Sequence, residues 1–158
     1  MANRRAIRER LGALMTSELT GVGHTLAKAY AYPVGDLGGA WPFSILGPEA
    51  SSPSAPRGMG TRFAVHRFKL QAFVKYAEID DTGSLLKGAD GLPVWDEEDA
   101  VNALDAFQAE LAAFLQTHRT DDGYWSAVDY SADTEIDIIE TDGGVYLRET
   151  YHLALSTN

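Results

Sequence analysis

The sequence contains no cysteine. Disulfide bonds, thiolate zinc ligands and thiol nucleophiles are therefore excluded. The chain also lacks a run of about 18 apolar residues, the length that a membrane-spanning helix needs. The basic start at Arg4 and Arg5 is not followed by an apolar stretch typical of a signal peptide. The sequence therefore predicts a protein that is neither inserted into a membrane nor secreted.

Basic residues are scarce in the second half of the chain. Residues 88–158 contain sixteen acids and two arginines, a net charge of −14, against −10 for the whole chain. Residues 1–28 carry +3 and residues 29–87 carry +1. So acidic a surface repels phosphate backbones, which excludes tight duplex binding unless the basic N-terminal segment acts alone.

Motifs that carry chemistry are also missing. The chain has four histidines, and no two of them have the HxH or HxxxH spacing of metal ligands. They are His24, His66, His118 and His152. No acid cluster follows the alternation of a calcium loop, no glycine pair has a phosphate-binding context, and no serine lies in a GxSxG motif. The sequence predicts no catalytic, metal or cofactor site and no enzyme. A carboxylate pair assembled from distant positions stays open.

What is present predicts one domain of the α+β class, since 158 residues with 45% apolar content are enough for a single core. Helical spacing predicts helices over residues 3–20 and 96–118, the second capped by Asp96 with Asp99 completing a capping box. Aromatic and β-branched segments predict strands over 24–34 and 41–46. We expect a mostly antiparallel sheet packed with two main helices.

The alternation over residues 61–77 predicts a long, half-buried strand. One face carries Ala64, His66, Phe68, Leu70, Ala72, Val74 and Tyr76, and the other carries Arg67, Lys69, Gln71 and Lys75. Seventeen residues would extend roughly 55 Å, more than a domain of this size accommodates, so the strand must bend, break or project. His66 is explained by packing, and His152, on a polar strand face, needs no special explanation.

The end of the chain predicts a hairpin. Residues 134–141 and 144–156 flank Asp142 and Gly143, a pair typical of a type I′ turn. In this register Ile138 is opposite Leu147 and Asp137 is opposite Arg148, so both an apolar and a charged pair are favourable.

Three segments are candidate interfaces. The first helix carries a basic group that is either a solvated face or a site for an acidic partner or nucleic acid: Arg4, Arg5, Arg8 and Arg10. The second helix carries alanines opposite its core stripe, which indicate either a second packing surface or helix propensity alone: Ala106, Ala109 and Ala113, with Ala112.

The third candidate is a loop predicted over residues 47–60, which is rich in proline, glycine and serine. Loops of this length are usually functional or disordered, so it is either an assembly arm or a surface loop without a role. If residues 41–46 pair with residues 61–70, the loop caps a ribbon with exposed edges. The candidate contact residues are Pro48, Glu49, Pro53, Pro56, Arg57 and Met59.

The order of these elements resembles that of the tail terminator and tail completion proteins of long-tailed, lambda-like phages. The resemblance lies in the opening helix, the loop-interrupted strands, the helix over 100–115, the segment 121–127 beginning Asp121-Asp122-Gly123, and the closing strand 149–155. It covers most of the chain as order and pattern and includes no sharp motif.

The resemblance implies a subunit of a hexameric ring in the virion, at the tail or neck, that is assembled in the host cytoplasm. The implied partners are further copies of the chain, the tail tube protein and head-tail connector proteins, with DNA passing through without specific binding; no cofactor, catalytic residue or membrane is implied. A head-tail connector or a minor tail protein stays open, as does a small α+β enzyme or ligand-binding domain. A regulatory module that binds a partner through the arginines is a further alternative.

Overall fold

The described part of the chain forms two helices and six strands. The structure is a computed structural model, and it describes residues 2–34, 41–49, 64–92, 94, 96–133, 135–141 and 144–157. The elements in chain order are α1 (Arg4–Glu18), β1 (Lys28–Tyr30), β2 (Phe43–Pro48), β3 (Ala64–Glu78), α2 (Glu97–Thr117), β4 (Ala127–Ala132), β5 (Asp137–Thr141) and β6 (Gly144–Thr157). The predicted α+β class and element order are confirmed.

The strands form one sheet in the order β1-β2-β3-β6-β4, and β5 also pairs with β6. All ladders are antiparallel except that of β1 with β2, which is parallel. The long strand β6 pairs with β5 near its beginning and with β4 near its end, so that β4 and β5 follow one another along the same side. Within the described ranges, β1 therefore forms one edge of the sheet, and β4 with β5 forms the other.

Both helices pack on the same face of the sheet. Their core stripes bury Ile7, Leu11 and Met15 from α1 and Leu104, Phe107 and Leu111 from α2. These side chains meet one face of the central strands in a single cluster that includes Phe68, Leu70, Tyr151, Leu153 and Leu155. Burial of this apolar surface between the helices and the sheet makes the main favourable contribution to the free energy of folding.

The opposite face of the sheet has a smaller apolar cluster to which α1 and α2 contribute nothing. It consists of Phe43, Ile45, Phe73 and Tyr146, with Tyr30 and Val34 against it. Phe43 and Phe73 are stacked with ring centroids 5.0 Å apart. We call this side the helix-free face; Lys28, Lys69, Lys75 and Arg148 alternate with core residues on its strands and so lie on it.

The first helix has the limits that the sequence predicts. The Asn3 side chain accepts a hydrogen bond from the Ala6 amide at 2.9 Å and caps the N-terminus. The chain leaves the helix at Leu19 and passes Gly21 and Gly23, both with positive φ, which residues with a Cβ adopt only under strain.

The predicted alternation of buried and exposed residues in the long strand is confirmed. The described part of the strand does not project beyond the sheet. Phe68, Leu70, Ala72 and Val74 of β3 enter the helix-side core as predicted. A bulge between Lys75 and Ala77 bends the strand. The predicted pairing of residues 41–46 with the following strand occurs, but β2 pairs with residues 68–73 and not with residues 61–70. β6 pairs along the described length of β3, so β3 is an inner strand there and not a free ribbon.

Several predicted limits are corrected by tertiary pairing. The strand predicted over 24–34 shortens to β1, because only Lys28–Tyr30 reach β2. The strand predicted over 41–46 begins at Phe43 and runs on to Pro48, so the predicted loop loses its first two residues to the pairing with Lys69 and Phe68. β4 was not predicted as a strand.

The second helix and the hairpin agree with their predictions except at the caps. Asp96 is at the N-cap of α2, but its side chain makes no capping hydrogen bond, so the predicted capping box does not form. The acids of the first turn instead compensate the helix dipole. The hairpin register is confirmed with Ile138 opposite Leu147 and Asp137 opposite Arg148. The strand begins at Asp137 and not at 134, and the turn at 142–143 lies outside the described residues.

Candidate interaction surfaces

The four arginines of α1 do not form one basic patch. Arg5 pairs with Glu9 one turn later at 2.8 Å, and Arg10 donates to the Asp121 carboxylate at 2.6 Å. Arg8 lies over the ring of Tyr32 at 6.0 Å from its centroid. Arg4 is exposed at the start of the helix. Two of the candidate residues are thus used inside the chain, and Arg8 faces the segment that follows β1.

The alanine face of α2 points outward. Ala106, Ala109 and Ala113 are exposed, and Ala112 is half-buried. Glu110 on the same helix is not part of this face, because its carboxylate accepts hydrogen bonds from the Thr25 amide and hydroxyl and contacts His24. The geometry leaves both sequence interpretations of these alanines open.

The predicted loop contributes two described residues to the site. Pro48 is exposed at the end of β2, and the Glu49 amide donates to the carbonyl of Arg67 at 3.1 Å. The other candidate residues of this segment, Pro53, Pro56, Arg57 and Met59, lie outside the described residues.

His152 forms an electrostatic clasp on the helix-free face. Its Nδ1 lies 2.9 Å from the Glu49 carboxylate and its Nε2 lies 2.7 Å from the Asp133 carboxylate. The hydrogen bond with Asp133, followed by the one with Glu49, raises the pKa of His152 above its ordinary value, although burial opposes the shift. The clasp ties the end of β2 to the end of β4 across the sheet. The prediction that His152 needs no special explanation is therefore wrong.

The clasp is poorly arranged for acid-base catalysis. A cleft of about 220 Å³ beside it is lined by Arg67, Asp129, Ser131 and His152. Both ring nitrogens of His152 already contact carboxylates, so neither is available to take a proton from a substrate. Among the described residues, no group of three His, Asp or Glu side chains is placed to hold a metal ion.

A second carboxylate is enclosed in the helix-side core. Glu149 is only 8% exposed and accepts a hydrogen bond from the Tyr151 hydroxyl at 2.7 Å. Burial and this bond raise the pKa of Tyr151. Because Tyr151 is fully buried, the pair satisfies polar atoms within the core and offers no surface to a ligand.

The two edges of the sheet carry opposite charge. α1 and the segment through β1, residues 1–34, have five basic and two acidic side chains. Arg10 of this group pairs with Asp121, so these two charges compensate each other. Residues 127–141, which contain β4 and β5, have five acids and no lysine or arginine. We call β1 with its flanking helix α1 the basic edge, and β4 with β5 the acidic edge.

Each edge also has an apolar feature. At the basic edge, α1 and β1 enclose an open groove of about 680 Å³, lined by Gly12, Ala13, Thr16, Lys28, Tyr30 and Tyr32. At the acidic edge, Tyr130, Ile136 and Ile138 are 45%, 46% and 61% exposed. Tyr130 and Ile138 are opposite Leu153 and Leu147, which are six residues apart on β6, so the two side chains lie roughly 20 Å from each other along this edge.

The sequence contains one signal for the acidic edge that was missed. The segment of β4 alternates apolar and polar residues from Val128 to Ala132, a short pattern that becomes a strand by pairing with β6. The acids of residues 127–141 are visible as a composition bias, but their collection along one sheet edge depends on the strand order. The acidic bias of this segment was thus a sequence signal for the charge of the edge, but not for its position in the sheet.

No protein-family model matches the chain, and no curated protein was found to be similar to it. Among the described residues, no helix is long and apolar enough to cross a membrane.

Proposed function

We propose that the chain is a structural subunit that assembles into a ring at the head-proximal end of a phage tail, where it ends tube polymerisation and joins tail to head. The observation that carries the proposal is the opposite charge of the two edges of one sheet. The resemblance in element order to tail terminator and tail completion proteins supports the tail as the place of assembly.

Opposite charges at opposite ends of a subunit favour head-to-tail contacts between identical copies. Such contacts join two different surfaces, and they close into a ring when the rotation between neighbours divides a full turn. A self-complementary dimer, in contrast, would bring like charges together at either edge. The arrangement therefore supports a ring in preference to a twofold dimer.

The remaining acids fit a channel that lets DNA pass. Glu97, Glu98 and Asp99 lie exposed on the first turn of α2. DNA carries a charge about every 1.7 Å along its axis, so an acidic wall limits adhesion during passage. We expect part of the acidic half of the chain to face the channel, and a channel lined chiefly by the α1 arginines would contradict this.

The experiment has two independent measurements. Native mass spectrometry and electron microscopy of the purified protein should show rings of one fixed copy number, six if the resemblance holds. Co-expression with the tail tube protein of the same genome should then shorten the tubes or make their length uniform.

The outcomes separate the alternatives. Rings that leave tube length unchanged but bind a portal or head protein indicate a head-tail connector. A protein that forms no ring and does not alter tube length, even with tail components present, would contradict the proposal.

A further inference from the structure

Both edges of the sheet present backbone groups that the described residues leave without a strand partner. The Ala27 amide donates to the Pro42 carbonyl at 2.7 Å, so the amides of Lys28 and Tyr30, which alternate with it, point away from β2. β4 and β5 likewise pair on one side only, with β6. Such edges attract further strands unless they are covered.

The groove at the basic edge runs around β1, with Lys28 and Tyr30 on the helix-free side and α1 on the helix side, and its helix side is the one that the exposed apolar residues of the acidic edge share. Ala29 of β1 packs against the helix-side core, and the groove beside it is walled by α1. Tyr130 and Ile138 are opposite Leu153 and Leu147, which also belong to the helix-side core. Side chains that are directly opposite in a sheet share a face. If the sheet of one copy continues into the sheet of the next, Ile138 of one copy lies on the same side of the joined sheet as the α1 wall of the groove in the next copy.

A cation at the basic edge and an acid at the acidic edge also lie in the same row of paired residues across the sheet. The register links Lys28 to Phe43, Phe43 to Phe73, Phe73 to Arg148 and Arg148 to Asp137, in one row across the whole sheet. The row begins with a cation at the basic edge and ends with an acid at the acidic edge. A copy placed beside another in the direction of this row brings Lys28 next to Asp137, the acid of β5 that lies on the same face and also pairs with Arg148 at 2.8 Å.

We propose that the β1 edge of one copy pairs with the β4–β5 edge of the next copy, so that the sheet continues between subunits and Ile138 enters the groove between α1 and β1. The occupant of the groove is thus a second copy of this chain. Backbone pairing supplies the attachment, the charges of the two edges set the orientation, and Ile138 supplies the buried apolar contact.

This inference rests on the proposed ring, and it adds which surfaces join. β1 has only three residues, and pairing with the next copy would give this edge a second strand partner.

The experiment compares matched substitutions in the full chain by native mass spectrometry and sedimentation velocity. Ile138→Asp and Lys28→Glu each change the proposed contact. Leu92→Asp and Lys87→Glu are their controls, because Leu92 is 63% exposed and Lys87 is exposed, and both lie in the turns between β3 and α2. Circular dichroism and thermal unfolding establish that every variant keeps its fold.

We expect the two contact variants to weaken association at least about tenfold and the two controls to leave it unchanged. Glu135 is exposed two residues before Asp137, so in a strand continued from β5 it lies on the same side as Asp137 and near Lys28 of the next copy. Glu135→Lys should therefore weaken self-association as well. A mixture of Lys28→Glu and Glu135→Lys proteins should form mixed assemblies, since the reversed charges then face each other, and mass labelling of one protein distinguishes these from self-assemblies.

The results distinguish the edge contact from the tail function. Rings that persist in Ile138→Asp and Lys28→Glu would overturn the edge contact and leave the tail function standing. Assemblies that these variants disrupt, together with unaltered tail tubes, would support the edge contact and contradict the tail function. A wild-type protein that stays monomeric at millimolar concentration would overturn the edge contact.

Discussion

His152 shows how one side chain acquires a role that its local sequence does not reveal. Its neighbours alternate apolar and polar as in any half-buried strand, and its two carboxylate partners are 103 and 19 residues away along the chain. The imidazole ring between them joins the end of β2 to the end of β4 on the helix-free face. The pKa of His66, on the other face, is lowered by burial and then by the charge of Arg4, so the pKa values of the two histidines shift in opposite directions.

Replacement of His152 by Gln should remove a pH-dependent contribution to the free energy of unfolding. The pKa of His152 is raised in the folded state, so its stabilising effect is fully present below the ordinary histidine pKa of about 6.5 and is lost as the pH rises through the folded value. Urea unfolding gives the difference in unfolding free energy between the wild type and the His152→Gln variant. We expect this difference to be larger at pH 5.5 than at pH 9 by about 0.5–1 kcal/mol, the size found for partly exposed ion pairs.

The control for this comparison is internal, because His66 titrates in both proteins and its effect cancels in the difference. An NMR titration should also place the pKa of His152 above 6.5. An equal difference in unfolding free energy at both pH values would show that the clasp carries no net charge interaction.

At the scale of elements, the contact of α1 with the chain after β1 fixes the width of the groove. A Cβ built at Gly12 would lie 2.6 Å from the Cβ of Ala31, far inside van der Waals contact. The helix therefore needs glycine at this position although glycine is an unfavourable helix residue. The close approach also explains why the first helix tolerates Gly12 in the middle of its core stripe.

Gly12→Val should destabilise the fold by about 1–3 kcal/mol, because the overlap with Ala31 forces α1 away from the sheet and the gain in helix propensity is smaller. Thermal or urea unfolding measures the loss. The double variant Gly12→Val, Ala31→Gly removes the methyl group that causes the overlap and should recover part of it. If the double variant is no more stable than Gly12→Val, the cost arises elsewhere in the helix.

The predictability of the elements follows the range of their interactions. α1, the buried face of β3 and the hairpin of β5 with β6 were predicted because their determinants are local: an N-cap, an alternation and a turn signal. β1 and β4 were mispredicted or missed, since each becomes a strand only by pairing with a partner that lies 15 or more residues away. The arginines of α1 were recognised as charged candidates from the sequence. The ion pair of Arg5 with Glu9 was predictable because the two residues are one helical turn apart, whereas the pair of Arg10 with Asp121 joins distant parts of the chain and was not.

For the whole molecule, the separation of charge between the two edges should make association sensitive to salt. The screening length falls from about 10 Å at 0.1 M to about 3 Å at 1 M ionic strength. We expect the association constant of the wild type to fall at least about tenfold between roughly 0.05 and 0.5 M sodium chloride, chiefly through slower encounter.

Sedimentation velocity at several salt concentrations measures this dependence. The Lys28→Glu variant should show a flatter salt dependence than the wild type, whereas Leu92→Asp should match the wild type. Association that strengthens with salt would mean that apolar contacts, with Ile138 foremost, dominate over the charges.

The sequence by itself determined the helices, the buried face of the central strand, the hairpin register and the acidic bias of the second half, because spacing and composition encode each of these within a few residues. Only the tertiary structure decided that β1 joins the sheet parallel to β2, that β4 and β5 line up along β6, and that His152 meets Glu49 and Asp133. These features depend on which strands become neighbours. That choice is made by the burial of the whole helix-side core and not by any local segment, so the two charged edges exist only once the sheet is ordered.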